Sequence, residues 1–420
     1  MISGVKGMND IWPQAIPAWH HLEQTAHQVF SRFGFREIRT PILESLELFK
    51  HSVGETTDIV QKEMFTLTDR KGRTMAMRPE GTAAVVRSLI EKGHDGGVEL
   101  QRFYYLGPMF RYERPQKGRL RQFHQLGAEM FGSTHVAAEV DLIESIWLYF
   151  ESLGLQGITM QLNTLGDAQC RSQYREKLLK FLTSISNKLC TDCQARMHAN
   201  PLRVLDCKVA ACQEALRPAP HIVDSLCPGC IAHFEQLKAS LRDHGRKFEL
   251  NPKMARGLDY YNRTIFEFSS DQIGAQSAIC GGGRYDGLVE QLGGKPTPAI
   301  GFAMGLERLI LLMEQNRPCI AKPLHTWIVY MGEQLLPHGL QLAKKLRQAG
   351  IACLLDYAGR TVKNQLGKAS KEGAILALII GENEVAQGTV TIKEMASGEQ
   401  QSVAADQLLA TVMRKLEGKI

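Results

Sequence analysis

The chain has 420 residues, too many for one average hydrophobic core, so we expect two or three domains. Hydrophobic residues at 44% and charged residues at 22% indicate an ordinary globular protein. The net charge of +6 is compatible with a nucleic-acid partner but does not require one. No apolar run approaches the roughly 20 residues of a membrane span, and no signal core begins the chain. Ten cysteines in a chain this long argue against a disulfide scaffold, so we expect a cytoplasmic protein without a membrane partner.

The first part of the chain predicts helices that flank a sheet. An amphipathic helix is predicted over residues 17–33, followed by a short strand from Phe35 to Ile42. Short polar turns join most of the later strands, which favours an antiparallel sheet. The further predicted strands are 64–69, 74–78, 101–112, 122–131, 157–162 and 261–269, and the further helices are 82–92 and 137–153.

Two changes of pattern divide the rest of the chain. Residues from about 168 to 246 are helical in pattern and hold seven of the ten cysteines, so we interpret them as an insertion. A break without periodicity falls near residues 314–325. Beyond it, strands at 326–331, 351–357 and 374–380 alternate with helices at 335–349 and 361–372, and two short strands and a helix at 405–416 follow. We therefore predict one domain over 1–325 and a separate α/β domain over 326–420.

The segment from 104 to 132 is the most informative one. A β-prone run ends on Arg111, a basic loop follows, and a second strand-like run places Gln125, Gly127 and Glu129 on one face. An amide and a carboxylate beside a gap without a side chain indicate a small polar pocket. The arginine-rich tip indicates a phosphate clamp; its charged residues are Glu113, Arg114, Lys117, Arg119 and Arg121.

The segment Arg78-Pro79-Glu80-Gly81-Thr82 lies between a predicted strand and a predicted helix. Thr82 could be the N-cap of that helix, and Glu80 could favour its positive end. Alternatively, the carboxylate of Glu80 and the hydroxyl of Thr82 would suit an ammonium group. Both interpretations stay open at this stage.

Three further motifs each allow a structural interpretation and a ligand-binding one. In RGLDYYN at 256–262, we expect Tyr260 to pack in the core, whereas the hydroxyl of Tyr261 faces either the core or a cavity. The glycine-rich run at 280–286 is either a structural turn or a close approach to a ligand. Arg308, in an otherwise apolar helix, either reaches the surface or clamps an anion.

The cysteine spacing leaves open whether the insertion binds a zinc ion. Two Cys-x2-Cys pairs, at 190/193 and 227/230, could form one tetrahedral zinc site, with Cys207 and Cys212 left over or as alternative ligands. Ordinary reduced cysteines are the favoured interpretation. In the C-terminal domain, Arg360, Lys363, Lys368 and Lys371 are predicted to share one helix face, which is either solvated or a phosphate contact.

Together these motifs resemble a class II aminoacyl-tRNA synthetase, specifically the bacterial type of the histidyl-tRNA synthetase family, over essentially the whole chain. Residues 34–43 look like motif 1, with Pro41 in a homodimer interface, 105–129 like motif 2 and 299–309 like motif 3. More specific marks are RPEGT at 78–82, RYERPQKGRLRQFHQLGAE at 111–129, RGLDYYNRT at 256–264 and GGGRYDGL at 281–288. The cysteine-rich insertion departs from the enterobacterial form of the family.

The resemblance implies an α+β fold: an antiparallel sheet with flanking helices, a helical insertion that clamps the acceptor stem, and a C-terminal α/β anticodon-binding domain. The implied reaction joins histidine to ATP and then transfers the histidyl group to the terminal adenosine of tRNA(His). Arg256 would be the family's distinctive catalytic arginine, and Arg114 and Gln116 would reach the acceptor end of tRNA.

The resemblance also implies the positions of the two small substrates. Arg111 would hold the α-phosphate of ATP and Arg308 the γ-phosphate, with Mg²⁺ bridging the phosphates and no protein-bound metal in the site. Glu129 and Tyr261 would bind the imidazole nitrogens of histidine. The remaining implied contacts are Glu113 near the adenine edge, Glu80, Thr82 and Gln125 around the histidine ammonium group, and Tyr260 in the histidine site.

Two other functions are weighed against the enzyme. A regulatory subunit that senses histidine for a biosynthetic phosphoribosyltransferase tends to lack the anticodon domain and intact RGLDYY-type chemistry. A sensor of uncharged tRNA would normally sit beside a kinase domain, and the sequence contains none. The presence of Arg111, Arg256, Arg308 and the C-terminal domain favours the enzyme.

Overall fold

The computed structural model describes residues 2–54, 57–97, 99–205, 207, 209–254, 258–274, 277–316 and 324–417. The chain divides into two compact units, Met1–Cys319 and Ile320–Ile420. Among the helices in the described part of the chain, none combines the length and apolar character that a membrane crossing requires.

The strands of the first unit are β1 (Arg36–Glu37), β2 (Leu43–Ser45), β3 (Thr66–Thr68), β4 (Thr74–Met77), β5 (Gln101–Phe110), β6 (Gln122–Phe131), β7 (Thr159–Thr164), β8 (Glu249–Leu250), β9 (Asn262–Ser269), β10 (Ala278–Arg284) and β11 (Ala299–Gly305). Its helices are α1 (Ile16–Arg32), α2 (Leu46–Val53), α3 (Thr82–Glu91), α4 (Val136–Ser152), α5 (Ala168–Ser184), α6 (Thr191–Ala199), α7 (Ala210–Ala215), α8 (Pro228–Asp243), α9 (Leu288–Gln291) and α10 (Leu306–Asn316). A π-helical turn spans Ile59–Glu63, and 3-10 turns span Ser186–Lys188, Pro201–Val204, Ile222–Ser225 and Asp271–Ile273.

Eight of these strands form one sheet in the order β1-β5-β6-β11-β10-β9-β7-β8. Its ladders are antiparallel except for the short outer pairs β1–β5 and β7–β8, which are parallel. The predicted antiparallel sheet with flanking helices is therefore confirmed. A second, three-stranded sheet has the order β2-β4-β3.

Successive side chains of β6 point alternately into the hydrophobic core and toward the opposite side of the sheet. Leu126, Ala128 and Met130 on one face are buried in the hydrophobic core that α1 and α4 cover. The opposite face directs Gln125 and Glu129 toward the other side of the sheet, as the two-residue period requires. Burying each large apolar side chain contributes roughly 2 kcal/mol. The register that buries this face of β6 is therefore strongly favoured over one that exposes it.

The helix α1 forms where the sequence predicts it, within one residue at each end. Its apolar residues recur every three or four positions, and the buried ones include Trp19, Leu22, Ala26 and Phe30. The amphipathic stripe predicted from the sequence is the stripe that packs on the sheet.

The strand predicted from Phe35 to Ile42 is wrong in extent. Only Arg36–Glu37 pairs, with β5, and the chain then leaves the sheet. Pro41 cannot donate a backbone hydrogen bond and restricts the residue before it, which explains the early end. Ile42 and Leu43 remain exposed at 41% and 42%.

The glycine-rich run at 280–286 is a strand rather than a turn. Residues 280–284 lie in β10, between β9 and β11 in the sheet. A Cβ atom at Gly282 would lie 2.3 Å from the carbonyl oxygen of Gly301 on β11. The glycine therefore allows a close approach between strands, a use that sequence alone does not distinguish from a turn.

The insertion contains α5, α6, α7 and α8. Tyr174, Leu178 and Leu182 of α5 are buried together with residues of the helices that follow. The apolar period seen in the sequence thus forms the helical core of this segment.

The second unit has β12 (Thr326–Tyr330), β13 (Cys353–Leu355), β14 (Leu376–Ile380), β15 (Thr389–Glu394) and β16 (Gln400–Ala404), with α11 (Leu336–Gln348), α12 (Val362–Lys371), α13 (Glu382–Gln387) and α14 (Leu408–Leu416). The sheet order is β13-β12-β14-β15-β16, parallel at β13-β12-β14 and antiparallel beyond, which confirms the predicted mixed sheet. Arg360 lies before α12 and pairs with Asp356 at 2.5 Å, so the prediction that it shares a helix face with the three lysines is wrong.

Candidate active site

A cavity of about 310 Å³ in the first unit is lined by β6, the start of α3, the strands β9 to β11 and the start of α10. This volume suits a small ligand. The residues singled out in the sequence that line it are Glu80, Thr82, Arg111, Glu113, Gln125, Tyr260, Tyr261 and Arg308. They come from segments far apart in the chain, which the sheet brings together.

Glu80 provides negative charge at the start of α3. Its carboxylate accepts the backbone N–H of Thr82 at 2.7 Å and that of Ala83 at 2.8 Å. Thr82 is therefore not the N-cap of the helix, as one interpretation of the sequence had it. The N-cap is Gly81, and Glu80 satisfies the free N–H groups of the first turn. Burial raises the pKa of Glu80, against the effect of these N–H groups.

Thr82 instead donates its hydroxyl to Glu129 at 2.7 Å. Glu129 is fully buried and also accepts the hydroxyls of Tyr285 at 2.5 Å and Tyr105 at 3.4 Å. Burial raises the pKa of Glu129 from 4.5 to about 8, although its hydroxyl donors act against the shift. Glu129 is not among the residues that line the cavity, so it lies behind the wall that Thr82 forms.

The gap that Gly127 leaves on β6 is occupied by an aromatic ring. A Cβ atom at Gly127 would lie 2.3 Å from the ring of Tyr105, and one at Gly81 would lie 2.2 Å from it. The interpretation of this gap as ligand space is therefore wrong, because Tyr105 on the paired strand fills it. The free space lies beside Gln125.

Gln125 contributes an unsatisfied acceptor. Its side-chain oxygen Oε1 is buried and has no hydrogen-bond partner among the described residues. A buried acceptor without a donor costs about 1–3 kcal/mol, which a ligand N–H would recover. Because Gln125 lines the cavity near the carboxylate side, this atom indicates a ligand that carries donors.

Both tyrosines of the 256–262 motif line the cavity and are largely buried, at 7% for Tyr260 and 5% for Tyr261. Their ring centroids lie 4.7 Å apart, and Tyr260 makes an edge contact with Tyr285 at 5.5 Å. Tyr260 therefore combines core packing with a position in the wall. The carbonyl of Tyr261 accepts a hydrogen bond from Arg171 of α5 at 2.8 Å.

Arginines also contribute to the cavity wall. Arg111, at the end of β5, donates to the carbonyl of Pro79 at 2.9 Å and lies 5.3 Å from the ring of Phe123. Arg308, in the first turn of α10, donates to the carbonyls of Gly118 and Ala278. It therefore lines the cavity and does not extend to the surface.

A third arginine, Arg119, also lines the cavity, although the sequence assigned it only to the basic tip of the loop. The turn formed by Gln116 and Arg119 directs Arg119 back to Glu113, with which it forms an ion pair. Burial and the positive charges of Arg119 and Arg111 lower the pKa of Arg308. Such a cluster of partly buried positive charge favours a polyanionic ligand.

Two carboxylates of the wall were missed in the sequence. Glu267 on β9 lines the cavity and acts electrostatically on Arg308. Glu307 accepts the backbone N–H and the ring Nδ1 of His124 at 2.9 Å. No local pattern marks either residue, because each faces the cavity only through the pairing of distant strands and helices.

The two residues predicted to contact tRNA lie outside the cavity wall. Arg114 and Gln116 are exposed on the loop between β5 and β6 and do not line the cavity. Arg256 lies outside the described residues. The cavity wall thus combines carboxylate and amide acceptors with three arginines, an arrangement suited to an amine-bearing ligand beside a phosphate-bearing one.

The comparisons with known proteins agree with this geometry. A family model described as histidyl-tRNA synthetase matches residues 7–309, and one described as an anticodon-binding domain matches residues 325–415. The histidine–tRNA ligase of Geobacter sulfurreducens is 47% identical over 403 residues, 96% of this chain and 97% of that one. The histidine–tRNA ligase of Syntrophotalea carbinolica is 43% identical over 417 residues, 99% of each chain.

Among solved structures, that of apo histidyl-tRNA synthetase from S. aureus superposes with a TM-score of 0.83 at 34% identity, covering 98% of this chain and all of that one. The antiparallel sheet, with one arginine on a strand hairpin and another on the strand–helix unit β11–α10, defines a class II aminoacyl-tRNA synthetase. Within this class the chain belongs to the histidyl-tRNA synthetase family. It is a ligase that charges tRNA with histidine.

Proposed function

We propose that the cavity is where histidine reacts with ATP to give histidyl-adenylate, before the histidyl group passes to the 3′-hydroxyl of the terminal adenosine of tRNA(His). The observation that carries this assignment is the unsatisfied Oε1 atom of Gln125, in the same cavity wall as the cluster of arginines. Histidine brings an ammonium group for the acceptors, and ATP brings phosphates for the arginines.

We assign the ammonium group of histidine to Glu80, Thr82 and Gln125. Glu80 supplies charge, and Gln125 supplies the acceptor that has no partner among the described residues. Tyr261, with Tyr260 beside it, faces the imidazole. Glu129 lies behind the wall and acts on the histidine site through the hydroxyl of Thr82, which it binds. A site with paired polar groups rejects amino acids that lack the imidazole nitrogens.

We assign the phosphates of ATP to Arg111 and Arg308, the α- and γ-phosphate respectively, with Glu113 near the adenine edge. The carboxylate oxygens of Glu267 fit a hard cation, so this residue would hold Mg²⁺ together with the phosphates. When bound, Mg²⁺ would neutralise part of the negative charge of the phosphates.

The histidine carboxylate is already an anion, so its attack on the α-phosphate needs no general base. Catalysis is then positioning and stabilisation of developing charge. Arg111 performs this in the cavity, and Arg256 joins it by resemblance to the family motif. The leaving pyrophosphate stays close to Arg308.

The remaining partners extend the same proposal. Arg114 and Gln116, exposed on the loop of the β5–β6 hairpin, would contact the acceptor end of tRNA. A homodimer would form around Pro41, and the exposure of Ile42 and Leu43 next to it supports an interface there.

The test is histidine-dependent exchange between ATP and pyrophosphate, measured in the wild type and in Gln125→Leu. Loss of one hydrogen bond to a charged group costs about 1.5–3 kcal/mol, so KM for histidine should rise roughly 10- to 150-fold. KM for ATP should stay within about twofold. Gln401→Leu, an exposed strand position in the second unit, is the matched control and should behave as the wild type.

Absence of exchange with histidine would overturn the proposal and would favour a histidine-sensing subunit, for which binding without exchange is expected. An equal loss of affinity for histidine and ATP in Gln125→Leu would remove Gln125 from the ammonium site.

A further inference from the structure

Two side-chain clusters lie in the insertion, outside the cavity. In each, four ligand atoms lie within 4.8 Å of one another. The four-cysteine cluster consists of Cys190, Cys193, Cys207 and Cys212, and the aspartate–cysteine cluster consists of Asp167, Cys170, Cys227 and Cys230. The two Cys-x2-Cys pairs therefore belong to different clusters, and the single site considered from the sequence is wrong in its grouping.

The distances fit tetrahedral coordination. The Sγ atoms of Cys190 and Cys207 are 3.9 Å apart. A zinc ion with Zn–S bonds of about 2.3 Å separates neighbouring sulfurs by about 3.8 Å, whereas a disulfide separates them by about 2.05 Å. All seven of these cysteines are free thiols in the structure.

The second cluster has the same geometry with one oxygen. The Oδ2 atom of Asp167 lies 3.3 Å from the Sγ of Cys227 and 3.4 Å from the Sγ of Cys230. Tetrahedral coordination of zinc by one carboxylate oxygen and sulfur predicts about 3.6 Å between the two atoms.

Backbone N–H groups point at the sulfurs in both clusters. The N–H of Cys190 donates to the Sγ of Cys212 at 3.0 Å, and the N–H of Cys227 donates to the Sγ of Cys170 at 3.0 Å. Donors around ligand atoms orient them and stabilise the charged form, a common feature of metal sites.

Ordinary packing of thiols explains these clusters less well. Buried thiols do behave as small hydrophobic groups. Four of them converging on one point is unusual, however, and a carboxylate among three thiols gains nothing from apolar packing. Within the aspartate–cysteine cluster only the thiols and the N–H of Cys170 supply donors to Asp167.

We propose that the insertion binds two zinc ions, one in each cluster. Each cysteine loses its thiol proton to solvent when the metal binds, and Asp167 binds as the carboxylate. The first ion joins the start of α6 to the loop and helix around Cys207 and Cys212. The second ion joins the start of α5 to the start of α8.

The second site is connected to the catalytic sheet. The N–H of Arg263 donates to the carbonyl of Gly166 at 2.8 Å, directly before Asp167. Arg171, next to Cys170, donates to the carbonyl of Tyr261. Zinc in the aspartate–cysteine cluster would therefore hold the segment that supports Tyr261. Amide hydrogen exchange should accelerate in residues 165–171 and 259–263 when the metal is removed.

The test is metal analysis by mass spectrometry of the full chain, purified with a reductant and without chelators. We expect two zinc ions per chain. Cys207→Ser/Cys212→Ser should lose one ion, and Cys170→Ser/Cys230→Ser should lose the other. Cys353→Ser, which changes a buried cysteine of the second unit, should keep both.

Addition of Co²⁺ to the metal-free wild-type chain keeps the proposal testable if a variant does not fold. The expected result is thiolate-to-metal charge-transfer absorption that saturates at two equivalents and disappears on addition of zinc. Absence of zinc together with absence of these bands would overturn the proposal, and so would disulfides within the clusters of freshly purified protein. One ion lost from only one of the double variants would overturn the assignment of the other cluster.

Discussion

The carboxyl group of Glu129 has an environment that differs from that of an exposed carboxylate in two ways. It is removed from water, and it accepts hydrogen bonds from three hydroxyl groups, those of Thr82, Tyr105 and Tyr285. Burial dominates, and the pKa rises to about 8. The folded protein therefore retains a proton that the unfolded chain releases near pH 4.5.

This difference predicts a pH-dependent stability. The contribution of Glu129 is fully present below pH 4.5 and is lost as the pH rises through about 8. Glu129→Gln removes the titration, so the free energy of unfolding of the wild type relative to this variant should fall over that range. The total change should be on the order of 4 kcal/mol or less. Urea denaturation between pH 4 and 9 measures it.

The control is Gln401→Leu, the exposed substitution in the second unit introduced above, for which the difference from the wild type should not depend on pH because neither side chain titrates. A flat difference for Glu129→Gln would show that its carboxyl titrates as an ordinary one. The same variant should weaken histidine activation more than ATP binding, because Glu129 binds Thr82 in the wall of the histidine site.

At the scale of elements, the ring of Tyr105 packs between the start of α3 and the β5–β6 hairpin. Tyr105 occupies space that Gly81 and Gly127 leave open. The helix carries Thr82 in its first turn, so the same packing sets the position of the cavity wall. A substitution that displaces the ring should therefore affect stability and the site together.

Gly81→Ala tests this packing. Its Cβ atom would lie 2.2 Å from the Tyr105 ring, so we expect a loss of about 1–3 kcal/mol in the free energy of unfolding. Gly287→Ala is the matched control, because Gly287 is also a helix N-cap at a similar φ and has no atom near its added Cβ. Both variants lose the modest preference of an N-cap for glycine over alanine, so their difference isolates the clash. Equal losses in urea denaturation would contradict this account of the wall.

At the scale of the whole molecule, the small-molecule cavity is built entirely from the first unit. The second unit has its own sheet and core and matches the anticodon-binding model. The chemistry of activation is therefore assigned to the first unit and the recognition of the anticodon to the second.

Removal of residues 326–420 should separate the two activities. Histidine-dependent pyrophosphate exchange should stay within about threefold of the full chain. The kcat/KM for charging of tRNA should fall at least about 100-fold, because binding energy from a remote part of the substrate is lost. Circular dichroism and a cooperative thermal transition are the control for folding. Loss of exchange in a folded truncated chain would contradict the assignment.

Much of the fold follows from local pattern. The 3.6-residue period of apolar residues predicted α1. The alternation of residues in β6 predicted that Gln125 and Glu129 share one face. Both predictions work because helix and strand geometry repeat along the chain. Patterns of glycine were less informative. The run at 280–286 was compatible with a turn or with a close approach to a ligand. It forms a central strand, because glycine permits close strand approach as well as tight turns, and Cys280 and Gly281 line the cavity.

The site was partly predictable for the same reason. Gln125 lies on the strand face that the sequence assigned to a polar pocket, whereas the phosphate roles of Arg111 and Arg308 came from the family resemblance, and the local pattern left Arg308 open between the surface and an anion contact. Arg119, Glu267 and Glu307 were not predicted as wall residues, because their positions depend on a loop turning back and on strands pairing across the sheet.

By itself, the sequence determined the order of the elements, the two-part organisation and, through its motifs, the resemblance to the family. These depend on residues close together in the chain. Only the tertiary structure decided that Tyr105 fills the gap at Gly127, that Glu129 lies behind Thr82, and that the cysteines group in two clusters. Such contacts join residues far apart in sequence. Side-chain packing decides which of these contacts form, and local periodicity does not encode that packing.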